Sequence, residues 1–212
     1  MTDSGRQTGY WDGVGATKTF THPLNPAWLA ELDPDARILD YGCGYGRLTA
    51  ELGDLGFTDV SGVDVSRPLI ERGRALHPGL GLAVLESPPS MPGEASAFDA
   101  VLLFAVLTCV PDDADQRALI AELHRVLAPG GLLYVSDLLL QDDARNRARY
   151  AADPGAVHGV FTTEDGARCR HHELAALRAL LADFDLEGED RVEVATMNGH
   201  RSRGVQLLAR KR

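Results

Sequence analysis

Long apolar runs are missing from this chain. No stretch reaches ~18 uninterrupted apolar residues, and the opening MTDSGRQTGYWDG has no apolar leader core. The expectation is a cytoplasmic protein with no membrane segment. Cysteine is scarce: Cys43, Cys109 and Cys169 are widely spaced, odd in number and form no CxxC pair, so a disulfide framework or metal knuckle is disfavoured and reduced thiols are expected. No His/Cys/carboxylate set stands at ligand spacing, so no metal is expected. Excess positive charge is also absent. The net charge of -10 opposes binding to a phosphate backbone and favours a small-molecule partner over nucleic acid. There is no low-complexity tract and no repeat of fixed period. At 212 residues the chain suffices for one well-cored domain with a modest elaboration, acting as a monomer or homodimer.

What is present is organised around ARILDYGCGYGRLT, residues 36–49. Ile38 and Leu39 read as a buried parallel strand with Asp40 at its carboxyl end. Gly42, Gly44 and Gly46 then make a turn that opens into an apolar-periodic helix through Leu48, Leu52 and Leu55. In an open α/β sheet a ligand lies beyond the carboxyl ends of the strands, and glycine lets the backbone pass close beneath it. The dinucleotide pattern G-x-G-x-x-G needs glycine at position 47, where the chain has Arg47. The spacing is G-x-G-x-G instead, with the acidic Asp64 ending the next strand, where a carboxylate can accept both hydrogen bonds of a ribose diol.

This arrangement resembles the class I S-adenosylmethionine-dependent methyltransferases, over roughly residues 36–140. Asp40, Gly42, Gly44 and Gly46 match the family's first motif, and Asp64 its second-strand acid. The resemblance implies a doubly wound, mostly parallel seven-stranded Rossmann-like α/β sheet with the last strand antiparallel and helices on both faces. It implies S-adenosylmethionine as cofactor, with Asp40 at the methionyl amino group, Gly42, Cys43 and Gly44 beneath the methionyl moiety, and Asp64 with Val65 at the ribose. Glu86, with Ser87 behind it, matches the position that faces the adenine amino group. Phe104, Ala105, Val106 and Leu107 match the floor between cofactor and acceptor, while Thr108 stands where a histidine is common.

The remaining chain reads as alternating elements. Thr58–Val65 and Leu80–Glu86 are expected strands, Ser66 caps a helix, and SPPSMPGEAS is a loop. Ala97–Phe104 is a buried strand. Asp112–Ala128 carries one apolar face through Leu119, Ile120, Leu123, Val126 and Leu127, and Pro129-Gly130-Gly131 stops it before the strand LLYVSDLLL. DLEGEDRVEVATM and GVQLLARKR form a final antiparallel pair. Two segments stand outside this scheme. For residues 1–24, with Tyr10, Trp11, Lys18, Phe20, Thr21 and His22, the resemblance implies a lid arm over the site, the alternative being a packed arm with Trp11 and Phe20 as hydrophobic pegs; Asn25 and Pro26 then start a short helix. Residues 141–172 are expected to form a cap, with a hairpin turning at Glu164-Asp165-Gly166. Its candidates are Tyr150, His158, Phe161, Arg168, Arg170, His171 and His172. Arg145, Arg147 and Arg149 read as an exposed helix face, and His172 as the cap of the helix after it.

The resulting expectation is in-line methyl transfer to a small-molecule acceptor, such as a secondary metabolite. His171, His22 and Tyr150 are the candidates for acceptor deprotonation. Two alternatives remain: transfer or cyclisation of the cofactor's aminocarboxypropyl arm, releasing methylthioadenosine, and a non-catalytic cofactor-binding protein.

Overall fold

A computed structural model describes residues 3–153 and 155–212, with 3–7 as backbone only. The first two residues of the expected arm and position 154 of the expected cap lie outside the described residues. In order, the chain forms α1 (Asp3–Asp12), β1 (Arg37–Tyr41), α2 (Arg47–Asp54), β2 (Asp59–Asp64), α3 (Arg67–Leu76), β3 (Gly81–Val84), β4 (Phe98–Phe104) and α4 (Asp113–Val126). Then come β5 (Leu127–Leu138), α5 (Ala144–Ala151), β6 (Val160–Thr162), β7 (Arg168–Arg170), α6 (Leu174–Leu180), β8 (Phe184–Ala195) and β9 (Arg201–Lys211).

Seven strands make one sheet in the order β3-β2-β1-β4-β5-β9-β8, and β6 with β7 forms a separate hairpin. β3, β2, β1, β4 and β5 pair in parallel. β9 runs antiparallel to both β5 and β8, so the last strand alone is reversed, as expected. Successive side chains of a strand point to opposite faces. Leu39, Leu103, Leu133 and Leu207 therefore join one apolar layer with Leu119, Leu123 and Leu177 of the helices. Ile38, Leu102, Leu132 and Leu208 join the other with Leu29, Leu48 and Leu52. Burial on both faces is why the central strands read as unbroken apolar runs. The strand order reverses between β1 and β4, which opens a crevice at their carboxyl ends.

Local chemistry sets most boundaries. Asn25 accepts a hydrogen bond from the Ala27 amide, but only a 3-10 turn follows, Pro26–Leu29. Ser66 caps α3 through the Leu69 amide and Asp112 caps α4 through the Ala114 and Asp115 amides. α4 ends at Val126, two residues short of the expectation, because the residue before Pro129 is disfavoured in helical conformation. β3 likewise stops at Val84 rather than Glu86. The arm holds a helix, α1, that its sequence did not announce. The expected hairpin is present, pairing Val160 with Arg170 and Thr162 with Arg168. His172 does not cap the following helix: Glu173 holds the cap position, without a side-chain bond, and the His172 ring meets the Gln116 amide at 2.8 Å. Among the described residues no helix is long and apolar enough to cross a membrane.

Leu123 joins α4 to the sheet and is fully buried. Leu123→Ala should lower unfolding free energy by about 2–5 kcal/mol, read as a shift in the urea midpoint without a change of slope.

Candidate functional site

The glycine turn is fixed by its neighbour strand. Gly42 and Cys43 amides both donate to the Val63 carbonyl, at 2.8 and 3.0 Å. The Gly44 amide donates to Asp64 Oδ2 at 2.9 Å, and the Ser66 amide to Oδ1 at 2.8 Å. Asp64 thus carries one backbone hydrogen bond on each oxygen, with acceptor capacity left on both. Asp40, at the end of β1, is 1% exposed and accepts from the amide and hydroxyl of Thr49, both on Oδ2. Burial raises its pKa to about 6, opposed by the Thr49 bonds; burial likewise raises Asp64, against the Ser66 and Gly44 amides. Gly42 and Gly44 have φ of 76° and 57°, the left-handed region where a side chain is strained. A Cβ on Gly42 would lie 2.3 Å from Val106, and one on Gly44 2.4 Å from the Phe20 ring.

Above this turn is a cavity of about 340 Å³. Asp40, Gly42, Cys43, Asp64, Val65, Phe104 and Ala105 line it. Gly44 lies directly under Phe20. Ala105 takes a left-handed conformation at φ 56°, aiming its amide at the Ser136 carbonyl, 2.8 Å away. Two expectations need correction. Glu86 and Ser87 are exposed and do not line the cavity; Glu86 pairs with Arg67 at 2.8 Å. Leu85, Pro88 and Pro89 form that wall instead; the Leu85 amide makes the last bond of the β2–β3 ladder, to the Asp64 carbonyl, and Glu86 lies beyond it. Leu107 belongs to the core rather than the floor, while Val106 and Thr108 do face the cavity.

Three segments far apart in sequence roof the cavity. The arm contributes Trp11, Phe20, Thr21 and His22, the cap Arg145, Arg149, Phe161 and His171, and the turn between β8 and β9 Met197, Asn198 and His200. Tyr10 and Lys18 do not line it but fasten it. Tyr10 donates to Asp165 at 3.1 Å, and the Lys18 ammonium pairs with Asp165 at 2.7 Å and donates to Asn198 at 2.6 Å. Thr21 donates to the Ala195 carbonyl. The arm is also held to the glycine turn. Phe20 stacks on Tyr45 at 5.4 Å, Arg72 covers the same ring at 4.0 Å, and Arg47 donates to the His22 carbonyl at 2.6 Å.

Of the candidate bases, His22 and His171 line the cavity and Tyr150 does not. The Tyr150 hydroxyl lies behind His171, 2.6 Å from Nδ1, and accepts from the Gln141 amide at 3.1 Å. In the tautomer in which the phenol donates to Nδ1, the ring's own proton sits on Nε2. His22 Nδ1 meets Ser136 Oγ at 3.0 Å. Burial lowers His22 to about 4, helped by Arg47, and lowers His171 to about 3, helped by His172, Arg149 and Arg145. Burial thus favours the neutral ring at both positions. His158, Arg168, Arg170 and His172 do not line the cavity; Arg170 holds Asp113 and the Pro111 carbonyl. Among the described residues no group of His, Cys, Asp or Glu could hold a metal ion. The sequence reading missed the cavity-facing Arg145 and Arg149. Their i, i+4 spacing on a short helix was the available signal.

A strand-end carboxylate, a left-handed glycine turn and a second carboxylate on the adjacent strand define a nucleoside-binding crevice of the Rossmann type. Comparison with known proteins specifies it. The model of a methyltransferase domain family matches residues 17–190. A ubiquinone biosynthesis O-methyltransferase of Xanthomonas oryzae pv. oryzae is 34% identical over 197 residues, 85% of this chain and 77% of that one. The crystal structure of an S-adenosylmethionine-dependent methyltransferase from Methanosarcina mazei superposes with a TM-score of 0.80 at 28% identity, covering 89% of this chain and 98% of that one. At the level of fold, a Burkholderia thailandensis 1,6-didemethyltoxoflavin-N1-methyltransferase is similar over 99% of this chain and 86% of its own, with a TM-score of 0.67 and 24% identity. The chain belongs to the class I S-adenosylmethionine-dependent methyltransferases. S-adenosylmethionine is the cofactor of this enzyme family.

The buried histidines give a pH prediction. The folded pKa of His22 lies below its ordinary value of 6.5, so between the two the unfolded chain binds a proton that the folded ring refuses. Its contribution to stability is fully present above that ordinary value and is lost as pH falls through about 4. Imidazole nitrogen shifts of His22 and His171 should stay at neutral-ring values from neutral pH down to about pH 5. Titration of either near its ordinary value would show that the roof is open in solution.

Proposed function

We propose that this enzyme transfers the sulfonium methyl group of S-adenosylmethionine, by in-line attack, to a small-molecule acceptor such as a secondary metabolite held under the arm and cap. One observation carries the reading: a single cavity is bounded below by the glycine turn and above by three segments fastened to one another through Asp165 and Asn198. When bound, the cofactor supplies an already activated methyl group. The chain's task is to hold it, exclude water and align an acceptor lone pair.

The residues fit the cofactor. Asp64 retains an acceptor site on each oxygen for the two ribose hydroxyls, and Asp40 offers a buried carboxylate for the methionyl ammonium. The Gly42 and Gly44 positions admit a close approach that a Cβ would block. Leu85, Pro88 and Pro89 make an apolar slot suited to adenine in place of Glu86. His171, positioned by Tyr150, presents an N–H donor toward the acceptor, and His22 braces the floor through Ser136. Relatives named for O-methylation favour an oxygen acceptor.

Residues 1–24 and 141–172 act as arm and cap of one domain. Hydrogen exchange with and without S-adenosylhomocysteine should then show added protection in both 10–22 and 160–172. Deleting residues 1 to 22 should abolish turnover while leaving the sheet folded. In turnover, S-adenosylhomocysteine should accumulate in step with methylated product. Methylthioadenosine as the coproduct would instead mean that the aminocarboxypropyl arm moves.

A further inference from the structure

The cap end of the cavity has an unbalanced charge. Arg145 and Arg149 are one turn apart on α5, half-buried, and both line the cavity. Neither makes an ion pair or hydrogen bond with the described residues, although Arg149 lies over the Phe161 ring at 5.2 Å. Arg147, between them, is exposed and bonds the Asp142 carbonyl. Asp143, the N-cap of α5, attracts Arg145 without pairing with it, so the donors of both guanidiniums are open to an anion in the cavity.

One neighbouring side chain can add a donor. His171 lines the cavity with the pair, its Nδ1 meets the Tyr150 hydroxyl, and with the phenol as donor its Nε2–H is presented to the cavity. The carboxylates that line the cavity are elsewhere: Asp40 and Asp64 belong to the glycine turn, and Asp115 is exposed in the first turn of α4. Phe161 and Met197 supply flat apolar surface beside the cations.

We infer that Arg145 and Arg149, with His171 Nε2–H, form a carboxylate-binding subsite, and that the acceptor is a small aromatic acid whose ring rests on Phe161. This rests on the methyl-transfer reading of the same cavity. Guanidinium forks match the two oxygens of a planar carboxylate, and the partly desolvated setting strengthens the contact. Such a subsite fixes the far end of the acceptor, and so the direction its nucleophilic atom presents to the cofactor.

The test uses the full chain saturated with S-adenosylhomocysteine and a panel of phenylacetate, cinnamate and indole-3-carboxylate, each paired with its primary amide, with affinity read by ligand-observed NMR titration. At least one carboxylate should bind about ten-fold or more tightly than its amide. R145Q/R149Q should erase that preference, each single variant should reduce it, and R147Q should leave it intact. S-adenosylhomocysteine affinity should stay within about two-fold throughout. Equal binding of acids and amides, no binding of any acid, or a preference that survives R145Q/R149Q would overturn the inference. The acid–amide comparison on the unmutated chain decides even if the double variant fails to fold. Failure of S-adenosylhomocysteine itself to bind would instead overturn the methyl-transfer reading.

Discussion

The hydrogen bond from the Gly44 amide to Asp64, at 2.9 Å, couples the two halves of the crevice. It ties the glycine turn after β1 to the end of β2, while the Val63 carbonyl receives the two preceding amides. With both carboxylate oxygens fixed by backbone donors, Asp64 is oriented before any ligand arrives, and the left-handed glycines let Val106 and Phe20 pack close against the turn. Preorganisation of this kind lowers the ordering cost of binding. The Asp40–Thr49 bonds do the same for the start of α2.

The roof depends on that floor. Phe20 occupies the place a side chain at Gly44 would take and stacks on Tyr45 of the same turn, while Arg47 grips the backbone at His22. From there Tyr10 and Lys18 carry the arm to Asp165 of the cap and Asn198 of the β8–β9 turn. These ties are few and partly exposed, and individually weak. The roof encloses a largely apolar space that Arg145, Arg149 and His171 also line.

Much of the floor was legible because its chemistry is local in sequence. A strand, an acid, three glycines and a second acid lie within the stretch from Ile38 to Asp64, and the periodicity of each flanking element states its burial. The roof was not legible in the same way. Arg145, Arg147 and Arg149 read alike along α5, and only the packing of that helix on the β6–β7 hairpin sends the first and third inward and the second to solvent. Glu86 was misplaced because the strand ends two residues early, at Val84, and the ladder makes its last bond through the Leu85 amide. The contribution of Met197 to His200 was missed because it depends on where the long β8–β9 pair ends in space. The weak basicity of His22 and His171 comes from burial by segments distant in the chain.

The central claim is that the Gly44–Asp64 crevice binds S-adenosylmethionine and sets its position. Calorimetric titration of S-adenosylhomocysteine into the protein and into Asp64→Ala measures it directly, with NADH as the competing nucleotide. The account predicts saturable binding to the unmutated chain, a loss of about 1–3 kcal/mol in the variant, and no comparable signal from NADH. Equal affinity of the two proteins for S-adenosylhomocysteine, or tighter binding of NADH, would contradict it.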